Sequence, residues 1–405
     1  MAKKIDITRE PRSMEPLFPD SGRYKLSGLS CAILREAGGL ERVLPSPVVR
    51  GKVVTLVQEM NSYYSNLIEG HKTLPRDIER ALRKDFSKNQ AARHNQAMSV
   101  AHMEVEKLMR DRLARETVEI HTQDFFCWLH GEFYRRLPEE LHWSQTESGK
   151  RYKIEPGRLR SYNVNVGQHT PPDYPFLSKF LDRFSECYGN ARMLPTDKLV
   201  ALAAAHHRLA WIHPFGDGNG RVVRLYAHAG LIQAGVDGFG LWTLSRGLAR
   251  QKDKYYSFLA RADLGRENDY DGRGNLSEKG LAEFCLFFLE TILDQIRFMG
   301  SVLDLPGLMD RMEKYLALEG SHIRKHKAHL ARVLKALVVE GEISRTKIQE
   351  ITGFGETAAR EVIKLGLDEG LLESPSPKGK LSLAFPAKVL DSYFPRLFLD
   401  LPVTP

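Results

Sequence analysis

One stretch constrains the fold of this chain more than any other, and from His213 to Arg224 it reads HPFGDGNGRVVR. Upstream of it, residues 201 to 212 repeat apolar side chains at helical spacing, which predicts a packed helix that ends where the stretch begins. Pro214 disfavours the α conformation at His213, so we expect the imidazole to lie on a bend. A glycine-rich turn at residues 218 to 220 then opens a second helix. The sequence therefore predicts two helices joined by a tight loop.

The side chains of this stretch suit a site that binds phosphate and transfers a group. The first free N–H groups of a helix point outward, and the glycines of the turn let a ligand approach the backbone, so the turn favours an anion. Arg221 and Arg224 are three residues apart, which places two permanent cations on one helix face. Asp217 is a candidate ligand for Mg²⁺ that bridges phosphates, and His213 is a candidate general base. Together they indicate transfer to a nucleophile from a Mg²⁺-bound nucleotide.

The stretch resembles the signature of the Fic (filamentation-induced-by-cAMP) family, HxFx[DE]GNGRxxR, at every defined position. The resemblance covers roughly residues 50 to 290. Members with this form of the signature are typically AMP transferases, which use ATP and Mg²⁺ to modify a Ser, Thr or Tyr hydroxyl of a protein. The fold that the resemblance implies is mainly α, a helical domain with a small β-hairpin flap.

The resemblance also implies a role for each residue of the signature. His213 takes the proton of the attacking hydroxyl, and Asp217 holds Mg²⁺. Asn219, with the neighbouring amides, cradles the α-phosphate, whereas Arg221 and Arg224 hold the β- and γ-phosphates. The nucleotide-binding residues implied within the signature are thus Gly218, Asn219, Gly220, Arg221 and Arg224.

A second motif ends the helix predicted for residues 47 to 70. Ser65 and Glu69 are four residues apart and share a helix face, and Gly70 is a typical helix stop. The motif is similar to the inhibitory motif [ST]xxxE[GN] of many Fic proteins, in which the glutamate pairs with the second arginine of the signature, here Arg224. A carboxylate bound to that guanidinium occupies the charge meant for a γ-phosphate. Ser65 and Glu69 are therefore predicted to inhibit the enzyme.

Residues 149 to 172 break the helical pattern. Pro156 and Gly157 predict a turn, and residues 162 to 166 alternate with period two, as in a short strand. The segment is similar to the flap of the family, which docks a target protein by adding a strand of the target to its own edge. The predicted docking residues are Arg160, Val164 and Val166, and the nucleotide-binding residues beside them are Val166, Gly167, Gln168 and His169.

A helix predicted near residues 248 to 263 carries Tyr255 and Tyr256. The resemblance implies that both tyrosines line an adenine pocket. Family members often have Asn seven residues after the second tyrosine, where this chain has Asp263. A carboxylate accepts a hydrogen bond from the adenine amino group but cannot donate one.

The composition is that of a globular protein, with 405 residues, 42% hydrophobic and 27% charged. A net charge of +8 is spread along the whole chain and is only a weak sign of nucleic-acid binding. The four cysteines form no CxxC pair, which favours reduced thiols in the cytoplasm. No segment resembles a signal peptide or approaches the ~18–20 apolar residues that cross a membrane. We expect a cytoplasmic protein without a membrane contact, and a homo-oligomer is one of its possible states.

Composition and pattern divide the chain into four segments. They are an extended arm with one short helix near residues 29–36 (1–46), a Fic catalytic domain (47–299, with the inhibitory helix at 47–70 and a core region at about 122–290), a linker around one amphipathic helix (300–322) and a winged helix–turn–helix domain (323–405). Three predicted helices, a glycine turn and a basic hairpin indicate the last domain. Residues 321–405 hold 13 Lys and Arg against 10 Asp and Glu, a net charge of +3.

Two alternatives to AMP transfer follow from the same residues. Glu69 could orient water to remove AMP from a modified protein. The chain could instead be a DNA-binding regulator that acts through residues 323–405, with the Fic domain as its sensor. The predicted recognition helix balances Arg360 and Lys364 against Glu356 and Glu361. DNA reading and a protein-contact or dimerisation role therefore both stay open for this domain.

Overall fold

In a computed structural model the chain is mainly helical, as the sequence predicts, and the residues described are 6–145, 149–189, 192–318 and 325–398. Up to the signature stretch the helices are α1 (Arg23–Leu40), α2 (Pro47–Ile68), α3 (Pro75–Leu82), α4 (Gln90–Arg115), α5 (Gln123–Tyr134), α6 (Leu177–Tyr188) and α7 (Pro195–Ile212). After it they are α8 (Asn219–Gln233), α9 (Leu244–Arg250), α10 (Lys252–Ala262), α11 (Glu278–Val302), α12 (Leu305–Leu318), α13 (Lys327–Glu340), α14 (Lys347–Thr352), α15 (Glu356–Asp368) and α16 (Leu390–Tyr393). The strands are β1 (Trp143–Gln145), β2 (Arg151–Lys153), β3 (Glu342–Ile343), β4 (Leu372–Glu373) and β5 (Leu381–Leu383).

Helices α7 and α8 lie at the centre of the larger unit. Every residue of α7 from Leu199 to Leu209 is buried, because α1, α6, α8 and α11 all pack against it. A helix surrounded in this way is mainly apolar on all sides, and its polar exceptions, His206, His207 and Arg208, are buried with hydrogen-bond partners. Helix α8 begins directly after Gly218, whose φ of +78° is accessible at low cost only to glycine. The predicted pair of helices is present, and the loop between them is fixed at both ends by buried structure.

Helix α1 corrects the prediction of an extended N-terminal arm with a short helix near residues 29–36. It has 18 residues and continues through Gly38 and Gly39, where the sequence predicted a break. Each glycine disfavours a helix by about 1 kcal/mol. Burial of Ile33 and Leu40, on a face that packs against α7 and α11, offsets that cost.

Helix α2 carries the second motif at its C-terminal end. Pro47 is its first residue, and the hydroxyl of Ser46 accepts a hydrogen bond from the N–H of Val49 at 3.5 Å. Residues 60 to 66 are all buried, because α4 and α9 pack against this half of the helix. Gly70 follows with a φ of +86°, as expected for a helix stop.

The strand predicted for residues 162 to 166 is absent from the described residues, so that prediction was wrong. The hairpin of this region lies earlier, where β1 pairs with β2 in antiparallel register. Over residues 158–165 the chain is held in another way, because the backbone N–H and guanidinium of Arg160 donate to the carbonyl oxygens of Pro214 and His213 at 3.0 and 2.9 Å. These contacts to the signature loop replace the ladder of hydrogen bonds that a strand would need.

The C-terminal part contains the elements predicted for a winged helix–turn–helix. Helices α13, α14 and α15 pack together, and β3, β5 and β4 form a three-stranded antiparallel sheet in that order. Gly353 lies between α14 and α15 at a φ of +71°, which matches the predicted glycine turn. That this part acts as a separate winged-helix domain stays a prediction.

The predicted linker is a packed helix, which corrects its assignment as a spacer. Leu308, Met312 and Leu316 of α12 are buried, and α12 packs against α13 and α16. Residues 319–322, the rest of the predicted linker, lie outside the described residues. None of the helices in the described ranges has the combined length and apolar character needed to span a lipid bilayer.

The last described residues, Leu397 and Phe398, pack against helix α2 and against Arg246 of α9. The carbonyl oxygen of Leu397 accepts hydrogen bonds from the Tyr64 hydroxyl at 3.0 Å and from Arg246 at 3.2 Å. The ring of Phe398 meets the edge of Tyr63 at a centroid distance of 5.8 Å. The C-terminal part therefore packs directly on helix α2, next to the second motif.

Candidate active site

His213 ends helix α7 in the left-handed conformation, with φ 48° and ψ 61°, so it lies on the predicted bend. Its N–H donates to the carbonyl oxygen of Leu209 at 3.2 Å, and its own carbonyl accepts from Arg160 Nε at 2.9 Å. The imidazole is hydrogen-bonded to the backbone carbonyl of Ala210. A left-handed non-glycine residue is uncommon and is held by its surroundings, here on both sides of the bend.

The electrostatic environment keeps His213 neutral. Burial, and then the nearby Arg160 cation, lower the pKa of His213 to about 4. A neutral imidazole at neutral pH can accept a proton, which is the state that a general base requires. The structure thus supplies the bend and the protonation state that the predicted role of His213 needs.

The signature loop is held by the side chain of Asn219. Its Oδ1 accepts from the N–H of Phe215 at 2.9 Å, and its Nδ2 donates to the carbonyl of the same residue at 2.8 Å. One N–H of the Asn219 amide remains free of this loop contact and the residue lines the cavity, so its role beside the α-phosphate stays a prediction. A Cβ on Gly216 or Gly218 would lie 2.3 Å from the Tyr162 hydroxyl or 2.8 Å from Tyr134, so neither position has room for a side chain. The backbone N–H groups at the start of α8 remain the donors for an anion.

Asp217 is exposed beside the first turn of α8, and its Oδ2 accepts a hydrogen bond from the Tyr134 hydroxyl at 2.9 Å. Within the described ranges, no three His, Cys, Asp or Glu side chains converge as a metal site. Mg²⁺ in nucleotide sites is usually held by one or two carboxylates together with phosphate oxygens and water. A single accessible carboxylate at the start of a phosphate-binding helix fits that pattern.

Arg224 is bonded to helix α2 by three hydrogen bonds. Its Nε donates to the Ser65 hydroxyl at 2.9 Å, and its Nη2 donates to the Ser65 carbonyl at 2.9 Å and to Glu69 Oε1 at 2.7 Å. The guanidinium is 2% exposed and the Glu69 carboxylate 28% exposed. Burial raises the pKa of Glu69, but the cations of Arg224 and Arg221 outweigh this effect and leave the pKa below its usual value. The structure places Ser65, Glu69 and Arg224 together, as the two motifs predict.

Arg221 lies on the same side of α8 but deeper. Its Nε donates to Asn66 Oδ1 at 2.9 Å, and its Nη2 lies 3.3 Å from the sulfur of Met98. The guanidinium is 5.3 Å from the ring centre of Phe133. Arg221, the first arginine of the signature, is therefore held in place by α2, α4 and α5.

A cavity of about 510 Å³, large enough for a nucleotide-sized ligand, lies between His213 and Arg224 and is lined by residues of both motifs. The predicted site residues that line it are Glu69, Val166, Gly167, Gln168, His169, His213, Asn219, Gly220, Arg224, Tyr255, Tyr256 and Asp263. The predicted residues outside its lining, all within the described ranges, are Ser65, Arg160, Val164, Asp217, Gly218 and Arg221. Val166 and His169 exchange backbone hydrogen bonds at 2.9 and 3.0 Å around a tight turn at Gly167 and Gln168. This turn forms one wall of the cavity.

The wall opposite that turn is aromatic and apolar, with one carboxylate. The hydroxyl of Tyr255 is 2.8 Å from His206 Nε2, and the hydroxyl of Tyr256 donates to the Ile68 carbonyl at 3.2 Å. Asp263 Oδ1 lies 3.1 Å from His207 Nε2. The hydroxyl of Tyr255 is also hydrogen-bonded to Arg224, so the aromatic residues of α10 adjoin the cationic group within one cavity, which suits a ligand that carries both phosphates and an aromatic base.

Sequence reasoning missed several residues that support the site. The adjacent histidines His206 and His207 hold Tyr255 and Asp263, and their position in an otherwise apolar helix was a usable signal. No comparable sequence signal indicated that Tyr134 bonds Asp217 or that Asn66 bonds Arg221. Trp211, which also lines the cavity, matched the apolar pattern of α7 and could not be told from a core residue.

Comparison with known proteins points to one family. A family model described as the Fic/DOC family matches residues 120–231. The protein named protein adenylyltransferase Fic in Nematostella vectensis is 28% identical over 208 residues, which cover 50% of this chain and 43% of that protein. The protein of the same name in Drosophila erecta is 35% identical over 112 residues, 28% of this chain and 21% of that protein. The match thus spans less than half the length of these curated relatives.

A solved structure shares the fold. It is the crystal structure of a Fic family protein from Desulfovibrio desulfuricans G20, with a TM-score of 0.50 and 17% identity over 88% of this chain and 96% of that one. This likeness concerns the fold alone. With the complete signature, the family match and the shared fold, residues 120–231 of this chain form a domain of the Fic/DOC family.

Proposed function

We propose that this chain is a protein adenylyltransferase that is held inactive by Glu69. It would transfer AMP from ATP to a hydroxyl side chain of a target protein or of itself. The observation that carries the proposal is the contact of Arg224 with Glu69 at 2.7 Å, in the same cavity as the neutral His213. The names of the curated relatives, protein adenylyltransferase Fic, support the same reaction.

In the proposed reaction, the hydroxyl oxygen of the target attacks the α-phosphorus of ATP. The bond from that phosphorus to the bridging oxygen breaks, and pyrophosphate leaves with the bonding electron pair. His213 takes the hydroxyl proton, which its lowered pKa and position at the end of α7 allow. A general base of this kind contributes ~10²–10⁴ in rate. The remaining acceleration comes from holding the two reactants in position.

The phosphates would lie in the part of the cavity next to Arg224. The first N–H groups of α8 point to it, and the guanidinium of Arg224 borders it. Asp217 would hold Mg²⁺ together with phosphate oxygens. When bound, Mg²⁺ neutralises charge on the departing pyrophosphate. The aromatic residues Tyr255 and Tyr256 would take the base.

Inhibition would follow from competition for one guanidinium. Nε and Nη2 of Arg224 already bond Ser65 and Glu69, so the γ-phosphate has no access to them while Glu69 stays in place. The carboxylate is tethered by α2 and therefore has a high effective concentration at the guanidinium. ATP would bind in a non-productive position until Glu69 moves.

Target docking would use the extended chain before the Val166–His169 turn. Residues 158–165 form no ladder with another strand in the described part of the chain, so a target segment could pair with their backbone. Val164 and Val166 would then contact the target, while Arg160 holds the stretch against the signature loop. The modified hydroxyl would then lie near His213.

Removal of AMP is a second candidate activity, favoured by one observation. The Glu69 carboxylate is 28% exposed and lines the same cavity as His213, so it could orient water toward a modified side chain. A DNA-binding role has less support. Arg360 on α15 pairs with Glu356, and Glu361 contacts His326 at 3.0 Å, which leaves little net positive charge on that helix.

The test uses the Glu69→Gly variant with ATP that is labelled either at the α- or at the γ-phosphate. Label on protein from α-labelled ATP only is expected, because AMP is transferred and pyrophosphate leaves. The His213→Ala change added to the same variant should abolish labelling but keep ATP binding. Incorporation of the γ-label would show phosphorylation instead, and no incorporation from either would reject the proposed activity.

A further inference from the structure

Both signature arginines make their hydrogen bonds to helix α2. Arg224 bonds Ser65 and Glu69, whereas Arg221 donates from Nε to Asn66 Oδ1 at 2.9 Å. Asn66 is fully buried, and Arg221 is 4% exposed. Because a buried cation needs a hydrogen-bond acceptor, this contact determines where the Arg221 guanidinium lies.

The Asn66 amide is held so that its oxygen faces Arg221. Its Nδ2 donates to the carbonyl of Ser62 at 3.0 Å, which leaves Oδ1 on the other side. The backbone carbonyl of Asn66 accepts from the N–H of His71 at 2.9 Å. In the part of the chain that the structure describes, Asn66 supplies the only oxygen acceptor bonded to the Arg221 side chain.

The charge of Arg221 acts at the position where an incoming phosphate would replace the Glu69 carboxylate. The Glu69 carboxylate lies over the first turn of α8, since a Cβ on Gly220 would be 2.1 Å from its Oε1. Arg224 and Arg221 are the two cations that stabilise this carboxylate. An anion that replaces Glu69 there would therefore contact Arg224 and be stabilised by the charge of Arg221 as well.

We propose that Asn66 is a positioning residue for Arg221, so that helix α2 supports the nucleotide site as well as inhibiting it. This inference rests on the proposed function. It requires that inhibition is relieved by movement of the Glu69 side chain while the rest of α2 stays. The burial of residues 60 to 66 and the contact of Tyr64 with Leu397 both favour a helix that stays in place.

Nucleotide binding to the Glu69→Gly variant tests the proposal without a protein target. Asn66→Ala in that background should weaken ATP binding about tenfold or more, as expected for the loss of a hydrogen bond to a charged group. AMP binding should stay unchanged, because AMP lacks the outer phosphates. Ser62→Ala is the matched control: it removes a buried hydrogen bond of the same helix, to the Ser99 carbonyl at 2.8 Å, and touches neither arginine.

Arg221→Lys tests the same hydrogen bond from its other side, since lysine keeps the charge but lacks the Nε–H. It should lower the ratio of ATP to AMP affinity. Adding Asn66→Ala to Arg221→Lys should change the ratio little further, because the two residues act through one contact. The affinity ratio of Arg221→Lys tests the proposal even if Asn66→Ala alone is too unstable to purify.

Equal ATP-to-AMP affinity ratios for Asn66→Ala and Ser62→Ala, with both proteins folded in thermal unfolding, would overturn the role of Asn66. Additive losses in the double variant with Arg221→Lys would do the same. If the Glu69→Gly parent itself binds no nucleotide, the proposed function fails, and the inference fails with it. The two failures are distinguishable, because a loss of nucleotide binding in the Glu69→Gly parent would be seen without any change at Asn66.

Discussion

Nη2 of Arg224 and Oε1 of Glu69 lie 2.7 Å apart, where the end of helix α2 meets the first turn of α8. The guanidinium is buried, but the carboxylate is partly exposed to the cavity. Removing the carboxylate partner of a buried cation costs free energy, so Glu69 moves readily only when another anion takes its place. The pair therefore makes the state of the nucleotide site depend on a contact between two segments 155 residues apart.

The lowered pKa of His213 predicts that the rate of AMP transfer falls only at a pH far below the usual pKa of a histidine. As a base, His213 works only when deprotonated, so transfer by Glu69→Gly should be constant above about pH 5.5 and fall as the pH drops through the pKa of about 4. The charged and titratable groups around it are Arg160, His169 and Asp217. A pH–rate profile of self-modification, with circular dichroism to confirm folding, measures this. A limb centred near pH 6.5 would contradict it.

The buried carboxyl group of Glu106 predicts that the stability of the folded protein decreases as the pH rises. Burial raises the pKa of Glu106 to about 7, although Asn61 Nδ2 donates to its Oε2 at 2.5 Å. The stability due to its protonated form is complete below about pH 4.5 and is lost as the pH rises through 7. Glu106→Gln should therefore stabilise the protein by about 2–3 kcal/mol at pH 8 and hardly at all at pH 4.5. Glu104→Gln, an exposed change on the same helix, is the control, and equal unfolding temperatures of wild type and Glu106→Gln at pH 8 would reject the prediction.

Because Leu397 and Phe398 pack on α2, we expect the C-terminal part to contribute to the stability of the whole protein. Phe398 is 4% exposed and contacts Tyr63. Phe398→Ala should lower the free energy of unfolding by about 3–5 kcal/mol. Tyr270→Ala, which removes a fully exposed ring, is the matched control and should change it by less than about 0.5 kcal/mol. Urea unfolding measures both variants. If the C-terminal part were an independent domain, Phe398→Ala and Tyr270→Ala would lower the free energy of unfolding by similarly small amounts.

Asp263 predicts a measurable effect on the nucleotide base. Its Oδ1 is held by His207 at 3.1 Å, and a carboxylate can only accept hydrogen bonds. Guanine presents two adjacent donors on its edge, whereas adenine presents one amino group. Asp263→Asn, which adds a donor, should therefore raise the affinity for ATP relative to GTP. Titration of both nucleotides against wild type and variant measures the ratio, and an unchanged ratio would place Asp263 away from the base.

The contact of Glu69 with Arg224 was predictable because each residue belongs to a motif that specifies its own local structure. The bend at His213 was also predictable, because Pro214 disfavours the α conformation at the residue before it. The contact of Asn66 with Arg221 was not predictable, since it depends on how two distant helices pack. For Asn219, the motif indicated the position but not that its amide bonds Phe215.

Local patterns failed where tertiary contacts override them. The alternation at residues 162 to 166 predicted a strand, but Arg160 ties the preceding chain to the signature loop. The pair Gly38 and Gly39 predicted a break in α1, but burial against α7 and α11 extends the helix through both. In each case the deciding interaction joins segments far apart in sequence.

We propose that Glu69 restrains AMP transfer by occupying Arg224. The most direct test of this claim is the initial rate of label transfer from α-labelled ATP by Glu69→Gly and by wild type at equal, saturating ATP. The pairing is worth about 1.5–3 kcal/mol as a hydrogen bond between charged groups, which predicts a rate at least ~10-fold higher in the variant. Glu69→Gln, which keeps the shape but not the charge, should lie between them. A rate in Glu69→Gly that equals or falls below that of wild type would contradict the claim.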